Sequence, residues 1–476
     1  SGATFTGAVC MNLLRHPAWG RAQETYGEDP HHVGVMAAAF TRGLQRHVMA
    51  CMKHFALNSM ENARFTVDVR IDDRALHEVY LPHFERVAGE GVASAMSAYN
   101  AVNGQWCGEH HHLLTEVLRD EWGWDGFVVS DFIFGLRDPV GSVRAGLDIE
   151  MPFRQQRAVA LGDALNAGGL ALEEVDACVR RVVATLLRFA PIVDRAPSPS
   201  VVNSAPHRAL AREVAAATTV MLRNEGDLLP VDDSISDIVV LGPLADRVNL
   251  GDGGSSDVKS TTAVTPLAGL IAAFGDQRVT HATDVSDPTT SDAVAAADLA
   301  IVVVGYTKHD EGEFIDNAGQ ADLIAAVFPP NDHPAVGFGA TSPSALTALE
   351  PSGASTGTYR SDADASDEVG GMSPGGDRTS LRLSDTDEAL IAAAAERSDR
   401  VVVVVECGSA VMMPWVDSVA AVLVGWYGGV EAGNALADIV RGDREPGGRL
   451  PFVVPADESH LPIFDKEATA ITYDLF

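Results

Sequence analysis

Residues 126–131 have the sequence Gly-Phe-Val-Val-Ser-Asp, a short apolar segment that stops at a carboxylate. This β-branched run is too short for a helix and predicts a buried parallel strand over Phe127–Ser130. Asp131 then lies at the carboxyl end of the strand, where it can serve as a nucleophile, a general base or a metal ligand. The structural alternative is a helix N-cap, since Asp often opens the helix after a strand. The segment alone leaves both interpretations open.

Residues 1–190 repeat this pattern of an apolar strand, a polar cluster and an amphipathic helix. The predicted strands are Thr6–Leu13, Met49–Met52, Ala93–Ala98, Phe127–Ser130 and, more weakly, Ala145–Ile149, with helices over His32–Gln45 and Asp73–Ala88. Such alternation is typical of parallel βα units, and polar residues at successive strand ends are typical of a (β/α)8 barrel. Because fewer than eight units are visible, we expect an α/β fold with a TIM barrel that is incomplete at its N-terminal side.

The remaining chain predicts a second domain. Residues 191–206 are rich in Pro and Ser and predict a linker, and residues 207–476 predict an α/β sandwich. Its strands are expected over Ile238–Gly242, Ala300–Gly305, Arg400–Glu406 and Ala420–Trp426, whose aliphatic runs indicate a mostly parallel sheet. Residues 328–375 are dense in Pro, Ser, Gly and Asp, and predict a disordered surface insertion.

The composition of the chain argues against some classes of binding partner. The chain has 476 residues, with 66 acidic against 34 basic side chains and a net charge of −32, which argues against nucleic acid. No apolar stretch reaches membrane-spanning length, so we expect no membrane partner.

Five widely spaced cysteines without a CxxC motif predict neither disulfides nor a zinc site, and we expect no cofactor or metal. The first residues lack the pattern of a signal peptide, which favours the cytoplasm without deciding the compartment. The oligomeric state stays open.

Cationic and aromatic side chains follow the other predicted strands. Lys53 and His54 end the second strand, Tyr99 follows the third, and Arg21 and Arg64 lie in polar loops. Many directional donors around one aspartate suit the hydroxyl groups of a sugar ring. A lysine at a strand end also permits a Schiff base, as in a lyase, and the structural alternative is surface charge beside a buried histidine.

These segments carry a family resemblance. The strings NLLRHPAWGRAQETYGEDP, KHFALN, ENAR, MSAYNAVNG, LRDEWGWDGFVVSDF, AGLDIEMP, MLRNEGDLLPV, VVLGPLAD, GDGGSSDV, GGDRTSLRLS and GGRLPFVVP occur in the order seen in glycoside hydrolase family 3. The chain resembles chiefly the β-glucosidases of that family. The resemblance implies a retaining exo-β-glycosidase that needs no cofactor, with Asp131 as the nucleophile and a β-glucoside or oligosaccharide as the substrate. It also implies that five side chains bind the terminal sugar: Arg21, Lys53, His54, Arg64 and Tyr99.

A retaining glycosidase needs a second carboxyl group, about 5–5.5 Å from the nucleophile, to protonate the leaving oxygen. The loop 306–314 follows a predicted strand of the second domain and contains three carboxylates. Glu311 precedes a glycine and matches the start of the family's EGxDR string, whose second half is displaced to Asp377-Arg378. We therefore predict Glu311 as the acid/base, with Glu313 as the alternative and a solvated acidic loop as the structural interpretation.

Other functions stay open on the sequence. A β-xylosidase or another exo-glycosidase is possible because single contacts decide which sugar is bound. Family members normally carry further residues before the segment that contains Arg21, so a catalytically inactive sugar-binding fragment is a further alternative.

Overall fold

The computed structural model describes residues 3–474 except for 153, 196–197, 233, 259, 261, 284–286 and 316–373. The predicted insertion at 328–375 therefore lies outside the described residues, apart from 374 and 375. The strands are β1 Phe5–Cys10, β2 Met49–Phe55, β3 Asp68–Arg70, β4 Ser94–Ser97, β5 Ala101–Val102, β6 Gln105–Trp106, β7 Phe127–Val129, β8 Val220–Asn224, β9 Ile238–Leu241, β10 Val279–Ala282, β11 Leu299–Gly305, β12 Val401–Glu406, β13 Ala421–Val424 and β14 Ala470–Thr472. The α-helices are α1 Pro30–Leu44, α2 Asp73–Ala75, α3 Pro82–Gly89, α4 Pro139–Ala145, α5 Gln156–Asn166, α6 Leu172–Val193, α7 Ala205–Thr218, α8 Pro266–Phe274, α9 Pro288–Ala296, α10 Asp385–Ala395 and α11 Ala432–Arg441.

The N-terminal part of the chain, residues 3–193, is built on a four-stranded parallel sheet in the order β1-β2-β4-β7. The predicted positions of these four strands are confirmed to within a few residues, and β2, β4 and β7 are buried along their whole length. The sheet is open, and the described residues form no closed barrel. Parallel strands place their carboxyl ends at one edge, so the residues that follow β2, β4 and β7 meet there.

The predicted strand Ala145–Ile149 is wrong, since only Ile149 forms a single bridge, to Val129. The carboxylate of Asp148 explains this outcome. Its Oδ2 accepts the backbone N–H of Val128 at 2.7 Å and the guanidinium of Arg119 at 2.9 Å. The backbone of residues 148–149 still bonds to this segment, with the Ser130 N–H donating to the carbonyl oxygen of Ile149 at 2.9 Å, but the Val128 N–H is taken by a side chain and the pairing ends after one bridge.

The predicted helix Asp73–Ala88 is broken into α2, a π-helical turn over Leu76–Tyr80, and α3. Pro82 is the first residue of α3. Proline has no backbone N–H, so position 82 cannot donate a hydrogen bond to the preceding turn, although Leu81 keeps a helical conformation. The proline therefore ends one helical segment and begins the next.

The C-terminal part, residues 205–474, is a three-layer sandwich. Its six-stranded sheet has the order β10-β9-β11-β12-β13-β8, parallel throughout except for β8. Alternate residues of β11 face opposite layers, with Ile301 and Val303 toward α7, α8 and α11 and Val302 toward α9 and α10. Strands buried on both faces have near-continuous aliphatic sequences, as was predicted here. The predicted linker 191–206 includes the end of α6 and the start of α7.

A small sheet connects distant parts of the chain. Its order is β14-β3-β5-β6, so the strand at 470–472 pairs in parallel with β3 of the N-terminal part. All five cysteines are buried and unpaired. In the described part of the chain, no helix is both long and apolar enough to cross a membrane.

Candidate active site

Asp131 lies two residues beyond the end of β7 and is 6% exposed. Its Oδ1 accepts the N–H of Phe132 at 2.8 Å, which fixes the carboxylate. Its Oδ2 lies 3.6 Å from Nε2 of His54 and accepts no hydrogen bond from the described residues. Burial raises the pKa of Asp131 to about 6, against the opposing effect of the Arg21 and Arg64 guanidinium groups. One oxygen is held and the other is available for chemistry.

His54 and Lys53 lie beside this aspartate at the carboxyl end of β2. The backbone of His54 is fixed by Asn12, whose side chain accepts the His54 N–H at 2.8 Å and donates to its carbonyl at 2.9 Å. Burial, followed by the charge of Arg21, lowers the pKa of His54 well below its usual value, so the ring is neutral. A neutral imidazole offers one donor and one acceptor rather than a charge.

Arg21 and Lys53 share a carboxylate that the sequence did not assign. Arg21 makes two bonds to Glu24, from Nε at 2.7 Å and Nη2 at 2.9 Å, and Nζ of Lys53 lies 3.5 Å from the same carboxylate. Burial raises the pKa of Glu24, but the two cations outweigh it and the net shift is downward. Lys53 is therefore held as an ammonium group, since Glu24 raises its pKa against the effect of burial.

Glu313 lies between the two predicted arginines. Its Oε1 is 3.3 Å from Nη1 of Arg21 and 3.1 Å from Nη1 of Arg64, and its Oε2 accepts the N–H of Ser255 at 2.6 Å. Burial raises the pKa of Glu313, but Arg21 and then Arg64 outweigh it and hold the pKa well below its usual range. Arg64 also binds Glu61 at 2.8 Å. Glu313 is thus an ionised carboxylate, a poor match for a group that must first donate a proton.

Tyr99 completes this cluster after β4. Its ring lies 4.9 Å from the guanidinium carbon of Arg64 and packs at 4.6 Å, centroid to centroid, on Phe65. The Tyr99 hydroxyl donates to the carbonyl oxygen of Phe132 at 2.8 Å, next to Asp131. Burial, with the charge of Asp131, raises the pKa of Tyr99 well above its usual value, so the phenol stays protonated.

Glu311 lies in an adjoining group of residues from the C-terminal part. Its Oε1 accepts the hydroxyl of Tyr427 at 2.6 Å and the N–H of Gly408 at 2.7 Å, and its Oε2 lies 3.2 Å from Nε of Arg378. The side chain is 1% exposed. Asp252 bonds to Gln23 and Ser256, and burial, followed by the charges of Glu24 and Glu311, raises its pKa well above the usual value, so it lies near both groups.

The structure therefore brings Arg21, Lys53, His54, Arg64, Tyr99, Asp131 and Glu313 into one connected cluster, and places Glu311 beside it. Sequence reasoning missed Glu24 and Glu61. Each is three residues from its arginine, and that spacing in an arginine-containing loop was the available signal. Ser255 lies in the GDGGSSDV string that carries part of the resemblance, whereas Tyr427 comes from a distant segment and gave no local signal. Among the described residues, no group of His, Cys, Asp and Glu side chains has the arrangement of a metal site.

Comparison with known proteins identifies the family of this chain. Residues 2–185 match the glycosyl hydrolase family 3 N-terminal domain, and residues 219–474 match the family's C-terminal domain. The chain belongs to glycosyl hydrolase family 3. This family 3 chain is 32% identical to thermostable beta-glucosidase B of Acetivibrio thermocellus, over 95% of this chain and 53% of that protein. It is 30% identical to a beta-glucosidase of Rhizobium radiobacter, over 95% of this chain and 67% of that protein. The chain thus spans about half to two-thirds of these curated relatives.

Solved family 3 structures share the two-part fold. Beta-glucosidase 3B of Thermotoga neapolitana in complex with glucose superposes with a TM-score of 0.75 at 26% identity, covering 99% of this chain and 64% of that one. The beta-glucosidase of Kluyveromyces marxianus in complex with glucose gives a TM-score of 0.80 at 20% identity, covering 100% and 71%. The second likeness concerns the fold alone.

Proposed function

We propose that this chain carries the active site of a retaining exo-β-glycosidase, a β-glucosidase that removes terminal non-reducing β-D-glucosyl residues. The observation that supports it best is Asp131, buried at the end of β7 with Oδ2 free of hydrogen bonds from the described residues and 3.6 Å from His54. The relatives named β-glucosidase and the glucose complexes of its solved relatives support the choice of sugar.

In the proposed reaction, Glu311 protonates the glycosidic oxygen while Oδ2 of Asp131 attacks the anomeric carbon. The bond to the aglycone breaks, and a glucosyl ester of Asp131 forms. Glu311, now a carboxylate, takes a proton from water, which attacks the same carbon and releases glucose and free Asp131. Two inversions give net retention. Within this proposal, Glu311 is preferred to Glu313 because it matches the start of the family's EGxDR string and pairs with one arginine, Arg378, whereas Glu313 is shared by two arginines.

The proposed sugar-binding residues divide by accessibility. Lys53 and Tyr99 keep 8% and 6% exposure, whereas Arg21, His54 and Arg64 keep 1% or less. We infer that Lys53 and Tyr99 face the sugar, and that the arginines act through the carboxylates they hold. We also infer that the four parallel strands belong to the wall of a (β/α)8-type barrel, with the domain division at 191–206. Their parallel order and shared carboxyl edge support this inference.

The test is peptide mapping by mass spectrometry after exposure to 2,4-dinitrophenyl 2-deoxy-2-fluoro-β-glucoside, with the xylose analogue in a parallel reaction. We expect a fluoroglucosyl adduct on the peptide that contains Asp131, and no adduct in Asp131→Asn. An adduct formed only by the xyloside would change the function to β-xylosidase. If the folded wild-type chain forms no adduct with either reagent, the proposal is contradicted.

The acid/base assignment has its own test. Glu311→Ala is expected to lose activity on a β-glucoside with a poor leaving group, but to be labelled by the activated reagent as wild type is. Added azide is expected to restore turnover of an activated β-glucoside, with β-glucosyl azide as the product. Glu313→Ala is the matched comparison, because it removes a carboxylate two residues away. Azide rescue of Glu313→Ala alone would transfer the role to Glu313.

A further inference from the structure

Asp377 lies in the C-terminal part, yet its side chain binds two loops of the N-terminal part. Oδ1 accepts the N–H of Gly20 at 2.9 Å, and both oxygens accept the N–H of Glu61, at 3.0 and 2.8 Å. Oδ2 also accepts the N–H of Asn62 at 2.8 Å. The Asp377 N–H in turn donates to Oδ1 of Asn62 at 2.8 Å. One carboxylate, 1% exposed, thus satisfies three backbone amides from two separate loops.

These two loops carry the arginines of the cluster. Gly20 immediately precedes Arg21, and Glu61 is the residue whose carboxylate binds Arg64 at 2.8 Å. Both arginines then converge on Oε1 of Glu313. A displacement of either loop would move a guanidinium relative to Asp131, because each arginine is close to the loop residue that Asp377 binds.

The packing at Gly20 leaves this loop little freedom. A Cβ atom at Gly20 would lie 2.3 Å from the carbonyl oxygen of Gly376 and 2.7 Å from that of Gly312. Arg378, the residue after Asp377, donates its backbone N–H to the carbonyl oxygen of Ala18 at 2.8 Å. Arg378 also bonds through its side chain to the carbonyl oxygen of Pro17. The Arg21 loop is therefore attached at several points to residues 376–378.

We propose that Asp377 is a positioning residue, whose carboxylate sets the places of Arg21 and Arg64 and thereby the charge around Asp131. It does not touch the reacting atoms. A carboxylate suits this role because its two oxygens accept several N–H groups at once, whereas asparagine offers one oxygen and adds a competing donor. The kinetic part of this inference rests on the proposed function, while the structural part does not.

The test compares Asp377→Asn with Asp438→Asn. Asp438 is also a buried carboxylate of the C-terminal part, but its partners are Arg212 and Arg444, far in sequence from both loops. The kinetic readout is the acidic limb of the pH profile of kcat/KM for p-nitrophenyl β-glucoside. Since Arg21 and Arg64 lower the pKa of Asp131, looser arginines raise it. In Asp377→Asn we expect the acidic limb to move to higher pH by about one unit. At the low-pH end of the profile, this shift lowers kcat/KM about tenfold.

A second readout needs no turnover. Amide hydrogen exchange is expected to accelerate in peptides covering residues 17–24 and 58–64 of Asp377→Asn, and in neither peptide of Asp438→Asn. If wild-type chain shows no activity, the proposed function fails and this exchange comparison alone decides the role of Asp377. Unchanged exchange in either loop, or an equal shift of the limb in Asp438→Asn, would overturn the inference.

Should Asp377→Asn fail to fold, Gly20→Ala tests the same contact from the other side. Its methyl group must displace the Gly376 and Gly312 carbonyl oxygens while the carboxylate of Asp377 stays in place. The same upward movement of the acidic limb is expected. A folded Gly20→Ala chain with wild-type limb and wild-type exchange in both loops would overturn the inference.

Discussion

At the scale of single residues, the cluster alternates positive and negative groups. Glu24 lies between Arg21 and Lys53, and Glu313 lies between Arg21 and Arg64. Removing one member of a buried ion pair costs more than the pair contributes, because the remaining charge stays buried without its partner. The stability of the cluster therefore depends on each buried charge keeping a partner of opposite sign.

Glu313→Gln tests this order. We expect the free energy of unfolding to fall by about 3–5 kcal/mol, since two buried guanidinium groups lose a shared counter-charge. The measurement is urea denaturation at neutral pH. Asp417→Asn is the control, because Asp417 forms an ion pair with Arg223 while its side chain is 91% exposed, and no measurable change is expected there. A decrease no larger than that of the control would contradict the prediction.

The sequence indicated the members of this cluster at strand ends directly and named Arg21, Arg64 and Glu313 with the help of the family resemblance, but it missed Glu24 and Glu61. Asp131 and Lys53 stand at the ends of apolar runs, so strand periodicity located them. Glu24 ends a single 3-10 helical turn and Glu61 lies in a bend, and both segments are too short for a periodicity to indicate which way a side chain points. Their partnership with Arg21 and Arg64 depends on tertiary folding.

At the scale of elements, β11 and β12 form the centre of the large sheet. The two strands form six residue pairs, from Ala300 with Val401 to Gly305 with Glu406. The strand bounds were predictable because valine and isoleucine fill both faces of the sheet. The unusual residue is Glu406 at the end of β12, where a carboxyl group is 6% exposed and accepts a hydrogen bond from Nδ2 of Asn249 at 2.8 Å.

Glu406 predicts a pH dependence of stability. Burial raises its pKa to about 8, whereas in the unfolded chain the pKa returns to its ordinary value. The folded chain therefore holds a proton that the unfolded chain releases. Stability from this group is fully present below the unfolded pKa and is lost as pH rises toward and through about 8.

We expect Glu406→Gln to unfold at a higher urea concentration than wild type at about pH 9, and the gap to close toward about pH 4. Val405→Ala is the control, since Val405 is a fully buried neighbour on β12 that carries no titratable proton, and its midpoint should fall by a similar amount at both pH values. Equal midpoints of Glu406→Gln and wild type at high pH would contradict the assignment.

At the scale of the whole molecule, the last described strand returns to the first part of the chain. β14 pairs with β3, and the following residue, Tyr473, is 2% exposed. Its ring stacks on Tyr80 at 5.4 Å and lies 4.6 Å from the guanidinium carbon of Arg15. No sequence pattern predicts this pairing, because its partners are about four hundred residues apart and the strand has only three residues.

Tyr473→Ala is expected to destabilise the N-terminal part in particular. Loss of a buried aromatic side chain costs about 3–5 kcal/mol. Hydrogen exchange should accelerate in peptides covering residues 68–80. Ile463→Ala is the control, since Ile463 lies in the same terminal segment and is 91% exposed. Faster exchange confined to the sandwich, with residues 68–80 unchanged, would contradict the prediction.

The backbone around Gly312 has a consequence for how this protein can vary. The Gly312 N–H donates to the carbonyl oxygen of Gly376 at 3.2 Å, and the Gly375 N–H donates to that of Lys308 at 3.1 Å. These two backbone bonds hold Glu311 beside the Asp377-Arg378 pair. Closing a longer loop costs little extra free energy once its ends are joined. The number of residues between these two bonds can therefore change while Glu311 and Asp377 keep their positions.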